Sequence, residues 1–393
     1  MQSFFPSRAR LSVWLSVAVA ASLPMGMRAA VPLNNTNPPT RIMRLIFIHH
    51  STGQAWLADD HGGLGKALKD NNYFVSDTNY GWGPDGIGDN TDLGNWWQWF
   101  RGPDSAQYQT ALLAEGGQNC DYSRLGTAPE GGNEIVMFKS CFPNSALQGK
   151  ASDPIPDISS NPLRGESSGS DAHTVANAKG IYLDLLNYFR ARPEKLFVAI
   201  TAPPLSDPTY SANARAFNEW MVSEWLKDYP FPNVMVWDFF NVLTSNGGNP
   251  QANDLRRETG NHHRWWNGGV QHKTDGGGNI LAYPSDDDHP NAAGDAKATA
   301  EFVPLLNAAV HAWLGNAVNP PKFSGIQFSA QKVQFMIGDL PMGQSCILQQ
   351  CPDAAGANWA DLATFQCLSP ATNWMQNFNG AIPPRMFYRI QVR

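Results

Sequence analysis

The chain is poor in cations: 28 lysines and arginines stand against 34 aspartates and glutamates, leaving a formal net charge of -6. No basic block or basic amphipathic stretch occurs, and proteins that hold backbone phosphates need such a footprint, so nucleic acid is not an expected partner. Long hydrophobic runs are equally scarce. The one at residues 11–23, LSVWLSVAVAASL, follows Arg8 and Arg10 and precedes Pro24 and the small pair Ala29-Ala30. It is too short to span a bilayer comfortably and has the order of a secretory signal peptide. Removal near Ala30 is expected, giving a secreted or periplasmic chain with no transmembrane domain. Nucleotide-binding glycine patterns are missing as well. GWGPDGIG, residues 81–88, lacks G-x-G-x-x-G spacing and contains Pro84, and no phosphate-loop Lys with Ser or Thr is found.

Cysteines number only five, and none stands with histidine at the short repeated spacing of a zinc site. No cofactor is expected. Export permits disulfides; Cys120 with Cys141, and two of Cys346, Cys351 and Cys367, are the pairings open to the chain. What is abundant is apolar material: 42% of the 393 residues are hydrophobic, enough for a large core. The 14 Trp and 10 Tyr supply flat apolar surfaces, suited either to sugar rings or to the core.

Apolar strand candidates at residues 42–48, 73–78, 134–140, 195–202 and 233–240 alternate with helical patterns over 56–71, 173–193, 213–227 and 291–314. Such alternation, with strands that are apolar nearly throughout, predicts an α/β fold whose parallel sheet has helices on both faces. Residues 31–40 read as a polar linker and 41–316 as this main domain. After Asn319-Pro320-Pro321 the pattern changes to alternating apolar positions with Gly343 and Gly356 at turns, closing on RMFYRIQVR, so 317–393 reads as a small all-β domain.

In parallel sheets ligands gather beyond the carboxyl ends of the strands. LIFIHHSTG, residues 45–53, puts Ser51 there, at a strand-to-helix turn where its hydroxyl is presented; a helix cap is the plainer role for a serine so placed. YPSDDDHPNAAGD, residues 283–295, sets Asp286, Asp287 and Asp288 immediately before His289 at the start of the last helix. A carboxylate that orients an imidazole, which in turn activates a hydroxyl, is the grouping of a serine nucleophile.

These blocks resemble the SGNH, or GDSL-like, hydrolases, a superfamily of esterases and lipases, over about residues 41–314. The resemblance implies a flavodoxin-like three-layer sheet and assigns Ser51 as nucleophile, His289 as base and, by its D-x-x-H spacing, Asp286 as acid, with Asp287 in reserve. It also implies oxyanion donors at Gly81, in DTNYGWG, and Asn144, in KSCFPNSAL. The usual G-D-S opening is His49-His50-Ser51 here, and the usual G-x-N-D block is Phe142-Pro143-Asn144-Ser145. Of His49 and His50, one is expected to pack in the nucleophile loop and the other to meet substrate. His262, His263, Arg264, Trp265 and Trp266 are expected in a loop around the cleft. A metal could instead recruit His49, His50, His289 and the three acids, but the order of the blocks is explained without one.

The tail, with NWADLATF followed by PPRMFYRIQVR, resembles small terminal β-domains of some secreted bacterial proteins, which implies surface or polysaccharide association or a spacer. The expected function is an exported serine-dependent carboxylic-ester hydrolase acting on an acylated carbohydrate or another small ester. The alternative is an inactive exported carbohydrate-binding or surface-attachment protein.

Overall fold

MRLIFI forms β1 (Met43–Ile48), and all six residues are buried. Successive side chains of a strand point to opposite faces. Met43, Leu45 and Phe47 accordingly enter one hydrophobic cluster, while Ile46 and Ile48 enter another. The computed structural model of the protein describes residues 35–245, 263–266, 269–272, 279–315, 322–329, 331–338, 340, 345–352, 359–369, 371–379 and 386–392. The expected signal peptide, residues 1–30, lies outside them.

After β1 come α1 (Ser51–Leu57), α2 (Leu64–Asp70), β2 (Tyr73–Thr78), α3 (Asn95–Phe100), α4 (Ser105–Ala114) and β3 (Ile135–Lys139). Then follow α5 (Val175–Arg190), β4 (Leu196–Ile200), α6 (Ser211–Ser223), β5 (Val234–Trp237), α7 (Phe239–Thr244), the paired β6 (His263–Trp266) and β7 (Gly269–His272), and α8 (Ala292–Gly315). The main sheet runs β2-β1-β3-β4-β5 with every pairing parallel, the strand order of flavodoxin-like folds. Apolar residues of α1, α2, α7 and α8 pack on one face and those of α3 to α6 on the other.

The helix expected over 56–71 is two helices. Gly63, at φ 65 in the left-handed region, caps α2 and turns the chain between them. The strand expected over 233–240 stops at Trp237, because the Asp238 carboxylate accepts the Asn241 N–H and starts α7. Trp56, Trp96, Trp99 and Trp237 are fully buried, so these tryptophans are core rather than sugar platforms. The described part of the linker is held down. Carbonyls of Thr36, Asn37 and Pro39 accept from Asn307, His311 and Asn72 at 2.9, 3.0 and 2.8 Å.

A separate antiparallel β region follows, with β8 (Lys322–Ser329), β9 (Lys332–Gly338), β10 (Ser345–Cys351), β11 (Ala360–Gln366), β12 (Thr372–Asn377) and β13 (Phe387–Val392). Its two sheets, β11-β10-β13 and β12-β9-β8, close on Val333, Phe335, Ile337, Leu348 and the facing Cys346 and Cys367, whose Sγ atoms are 2.8 Å apart. Among the described residues, no helix is long and apolar enough to cross a membrane.

Gly53, in the first turn of α1, lies so close to the preceding strand end that an added Cβ would stand 2.4 Å from His49 Cβ. Alanine would favour the helix by about 1 kcal/mol, whereas forced overpacking at a buried site costs about 1–3 kcal/mol. Gly53→Ala is therefore expected to destabilise by up to roughly 2 kcal/mol in urea unfolding. An increase in stability would show that α1 can shift away from His49 freely.

Candidate active site

Ser51 is the first residue of α1, directly beyond the carboxyl end of β1. The first N–H groups of a helix have no partner within it, and the Ser51 N–H has no backbone acceptor among the described residues. Its Oγ lies 2.8 Å from Nε2 of His289. Nδ1 of His289 faces both Asp287 oxygens at 2.9 Å. That arrangement suits the tautomer in which Nδ1–H donates to Asp287 and Nε2 accepts from the Ser51 hydroxyl.

The acid beside His289 is thus Asp287, and Asp286 is exposed with no hydrogen bond to the imidazole. The D-x-x-H register gives way to a local turn. Asp287 Oδ1 accepts the His289 N–H at 2.8 Å, an Asx turn two residues long that brings the carboxylate alongside the ring. Ser285 Oγ donates to the His289 carbonyl at 2.7 Å, and Pro284 bridges Pro290, which closes the loop. Asp288 is used elsewhere, accepting the Ser206 N–H at 2.7 Å. The His289 N–H first, and then its imidazole, hold the Asp287 carboxyl below its ordinary pKa.

The two expected oxyanion donors are engaged. Gly81 N–H donates to Asp89 Oδ1 at 2.8 Å. Asn144 is buried; its amide donates to Asp92 Oδ1 at 2.6 Å and to the Cys141 carbonyl at 3.3 Å, while its Oδ1 accepts the Leu93 N–H at 2.8 Å. Spacing placed both residues at the strand ends but could not report where their N–H groups point.

Both adjacent histidines make protein contacts. His49 is fully buried, with Nδ1 2.8 Å from the His50 carbonyl and Nε2 3.2 Å from Asp77 Oδ2. His50 Nε2 lies 2.7 Å from the Gly88 carbonyl, and its ring stacks on the 60% exposed Tyr80 at 3.9 Å. Burial holds the His50 pKa down. Phe142 meets the His289 ring edge-on at 5.0 Å. Of the expected aromatic loop, His262 lies outside the described residues and His263–Trp266 is the strand β6 instead.

Residues that the sequence blocks did not mark also surround Ser51. Lys139, at the end of β3, is fully buried and donates to Thr52 Oγ1 and the Ser140 carbonyl; burial lowers its pKa. Cys141 Sγ lies 3.3 Å from Thr52 Oγ1 and 4.0 Å from Ser51 Oγ. Cys120 faces Asp77 Oδ2 at 3.1 Å, so the two cysteines expected to bridge are apart and free. Asp295, in the first turn of α8, is fully buried with His61 Nδ1 at 3.1 Å, and neither of its oxygens receives a well-aligned hydrogen bond from a described residue. The available signal was a charged residue inside an otherwise apolar strand or helix turn: Asp77 in YFVSDT, Lys139 in IVMFK and Asp295 in AAGDA.

No protein-family model matches the chain, and no curated protein matches it. Among solved structures it is similar to BT4096, a gut microbial diltiazem-metabolizing enzyme, with a TM-score of 0.34 and 9% identity over 83% of this chain. The chain spans 62% of the length of that structure.

Burial pushes the Asp295 carboxyl up to about 6 from 3.8, partly offset by His61. A pKa raised by folding contributes stability that is full below the unfolded value and lost as pH rises through the folded one. The shift corresponds to roughly 3 kcal/mol lost between about pH 4 and pH 7. Asp295→Asn should remove most of that slope, gaining on the parent chain as pH rises. Urea titrations of both proteins at several pH values test this, and parallel stability profiles would rule Asp295 out as the source.

Proposed function

We propose that the protein is a serine-dependent carboxylic-ester hydrolase of the SGNH type. The observation that carries the reading is His289, whose two ring nitrogens face Ser51 Oγ at 2.8 Å and the Asp287 carboxylate at 2.9 Å. In the reaction Ser51 Oγ attacks the acyl carbonyl while Nε2 of His289 takes its proton. Asp287 holds Nδ1–H and stabilises the imidazolium. The proton then passes to the leaving alcohol, and a water molecule, deprotonated by the same nitrogen, releases the acid and restores Ser51. The Ser51 N–H supplies one donor to the oxyanion. Asn144 joins it only if its hydrogen bond to Asp92 is exchanged for one to the substrate.

Acetyl or other short acyl groups on a carbohydrate are the proposed substrate class. Exposed Tyr80 beside the nucleophile turn offers an aromatic face to a sugar ring. Export rests on the N-terminal sequence, and the terminal β region is proposed to associate with a polysaccharide or surface.

The engaged Gly81 and Asn144 donors favour a second reading, an exported carbohydrate-binding protein without turnover. Assays with short acyl esters, acetylated glycans and long-chain esters separate the two. On the enzyme reading Ser51→Ala lowers turnover by roughly a thousandfold or more and Asp287→Asn by about a hundredfold or more. Asp286→Asn stays close to the parent. Glycan affinity unaffected by Ser51→Ala, with no ester cleaved by the parent chain, would select the binding protein.

A further inference from the structure

Beneath the nucleophile turn, three metal-binding side chains from distant parts of the sequence meet. His49 follows β1, Asp77 lies in β2, and Cys120 belongs to the segment between α4 and β3. His49 and Asp77 have no exposed side-chain surface and Cys120 is 8% exposed. The geometry points to a zinc-binding site formed by His49 Nε2, Asp77 Oδ2 and Cys120 Sγ. The three atoms are 3.2 Å (N to O), 3.1 Å (S to O) and 3.9 Å (S to N) apart. A tetrahedral zinc ion with ligand bonds near 2.0–2.3 Å has edges of about 3.3–3.6 Å. Shifts of a few tenths of an ångström would convert one triangle into the other.

The surrounding hydrogen bonds aim the donors inward. A neutral imidazole carries one N–H. With Nδ1–H donated to the His50 carbonyl at 2.8 Å, the lone pair of Nε2 points toward the carboxylate and the sulfur. This is the outer-shell support found around zinc-bound histidines. Asp77 is held in the same way. Its Oδ1 accepts from Tyr122 OH and the Asn119 N–H, both at 2.8 Å, leaving Oδ2 for the ion. Binding releases the Cys120 thiol proton to solvent. Zinc, one thiolate, one carboxylate and a neutral imidazole then sum to zero charge, which suits a buried pocket. Three protein ligands leave one position for water. The ion would tie the segment carrying Cys120 to the ends of β1 and β2, two residues before Ser51, without entering the chemistry there.

Metal analysis of the purified full chain, before and after incubation with zinc and desalting, is the direct test. About one zinc per chain is expected, with a lower unfolding temperature after chelation. Cobalt(II) in its place should give a thiolate-to-metal charge-transfer band that Cys120→Ser abolishes and that a Cys141→Ser, Cys346→Ser, Cys351→Ser, Cys367→Ser control keeps. Should Cys120→Ser fail to fold, the control chain decides alone: with those four thiols gone and Cys120 the one cysteine left, a retained band supports the site and a lost band overturns it. No stoichiometric metal in the parent chain after zinc incubation would also overturn it, leaving His49, Asp77 and Cys120 as a hydrogen-bonded cluster. Neither result bears on whether Ser51 turns over an ester.

Discussion

Where a side chain on Gly53 would stand, the His49 ring is already in place. This contact lets α1 start immediately beyond β1, so that Ser51 falls in the first helical turn and His50 swings outward to Gly88. From α1, Trp56 reaches across to donate to Thr299 on α8, and Thr299 returns a hydrogen bond to the Gly62 carbonyl. Helix α8 in turn begins three residues after His289. Nucleophile and imidazole, 238 residues apart in sequence, are thus referred to one packed pair of helices. That frame sets where the two meet, and the 2.8 Å contact between them is completed by the loops that carry them.

Near the carboxyl ends of β2 and β3, Asp77 and Lys139 are buried in a largely apolar sheet. Removing a charge from water costs several kcal/mol unless partners compensate. The Asp77 carboxylate accepts from Asn119, Cys120 and Tyr122 and faces His49, whereas among the described residues Lys139 has only a hydroxyl and a carbonyl. Asp295 adds a third buried charge, within electrostatic reach of both Lys139 and His289. Buried charge of this kind also occurs at functional clefts, where burial and neighbouring charges shift pKa values. At the opposite end of the sheet, β1, β2 and β4 begin on the apolar Met43, Tyr73 and Leu196, and the buried Arg44 beside them donates to the Gly131 and Glu115 carbonyls.

Periodicity and strand length made the α/β sheet legible, because strands buried on both faces must be apolar along their length. The places where sequence reading stopped short are those decided by hydrogen bonds rather than burial. The D-x-x-H spacing selects Asp286, but it is Asp287 that closes an Asx turn onto the N–H two residues on and meets the imidazole. Gly81 and Asn144 stand after the expected strands, yet their donors are turned to Asp89 and Asp92. Aromatic abundance was ambiguous for a similar reason: whether tryptophan lines a cleft or fills a core depends on which helix face it occupies, and Trp96 and Trp99 of α3 face inward. The approach of Cys120 to His49 rests on a long connection whose path no local pattern encodes.

The Asp287 side chain is 61% exposed, while that of His289 is 29% exposed. A carboxylate in this position orients its imidazole from the solvent side, where mobile ions compete with it. At physiological ionic strength the screening length is about 8 Å, so a pair in contact is weakened by salt only in part, but an exposed pair has little low-dielectric surrounding to amplify it. The hold on the imidazole therefore falls largely to the backbone: the Asx turn and the Ser285 strap persist whatever the salt concentration. A surface loop of this kind makes the ring's alignment a property of the local chain geometry, leaving the charge pairing to be strengthened by any bound polymer that shuts water away from it.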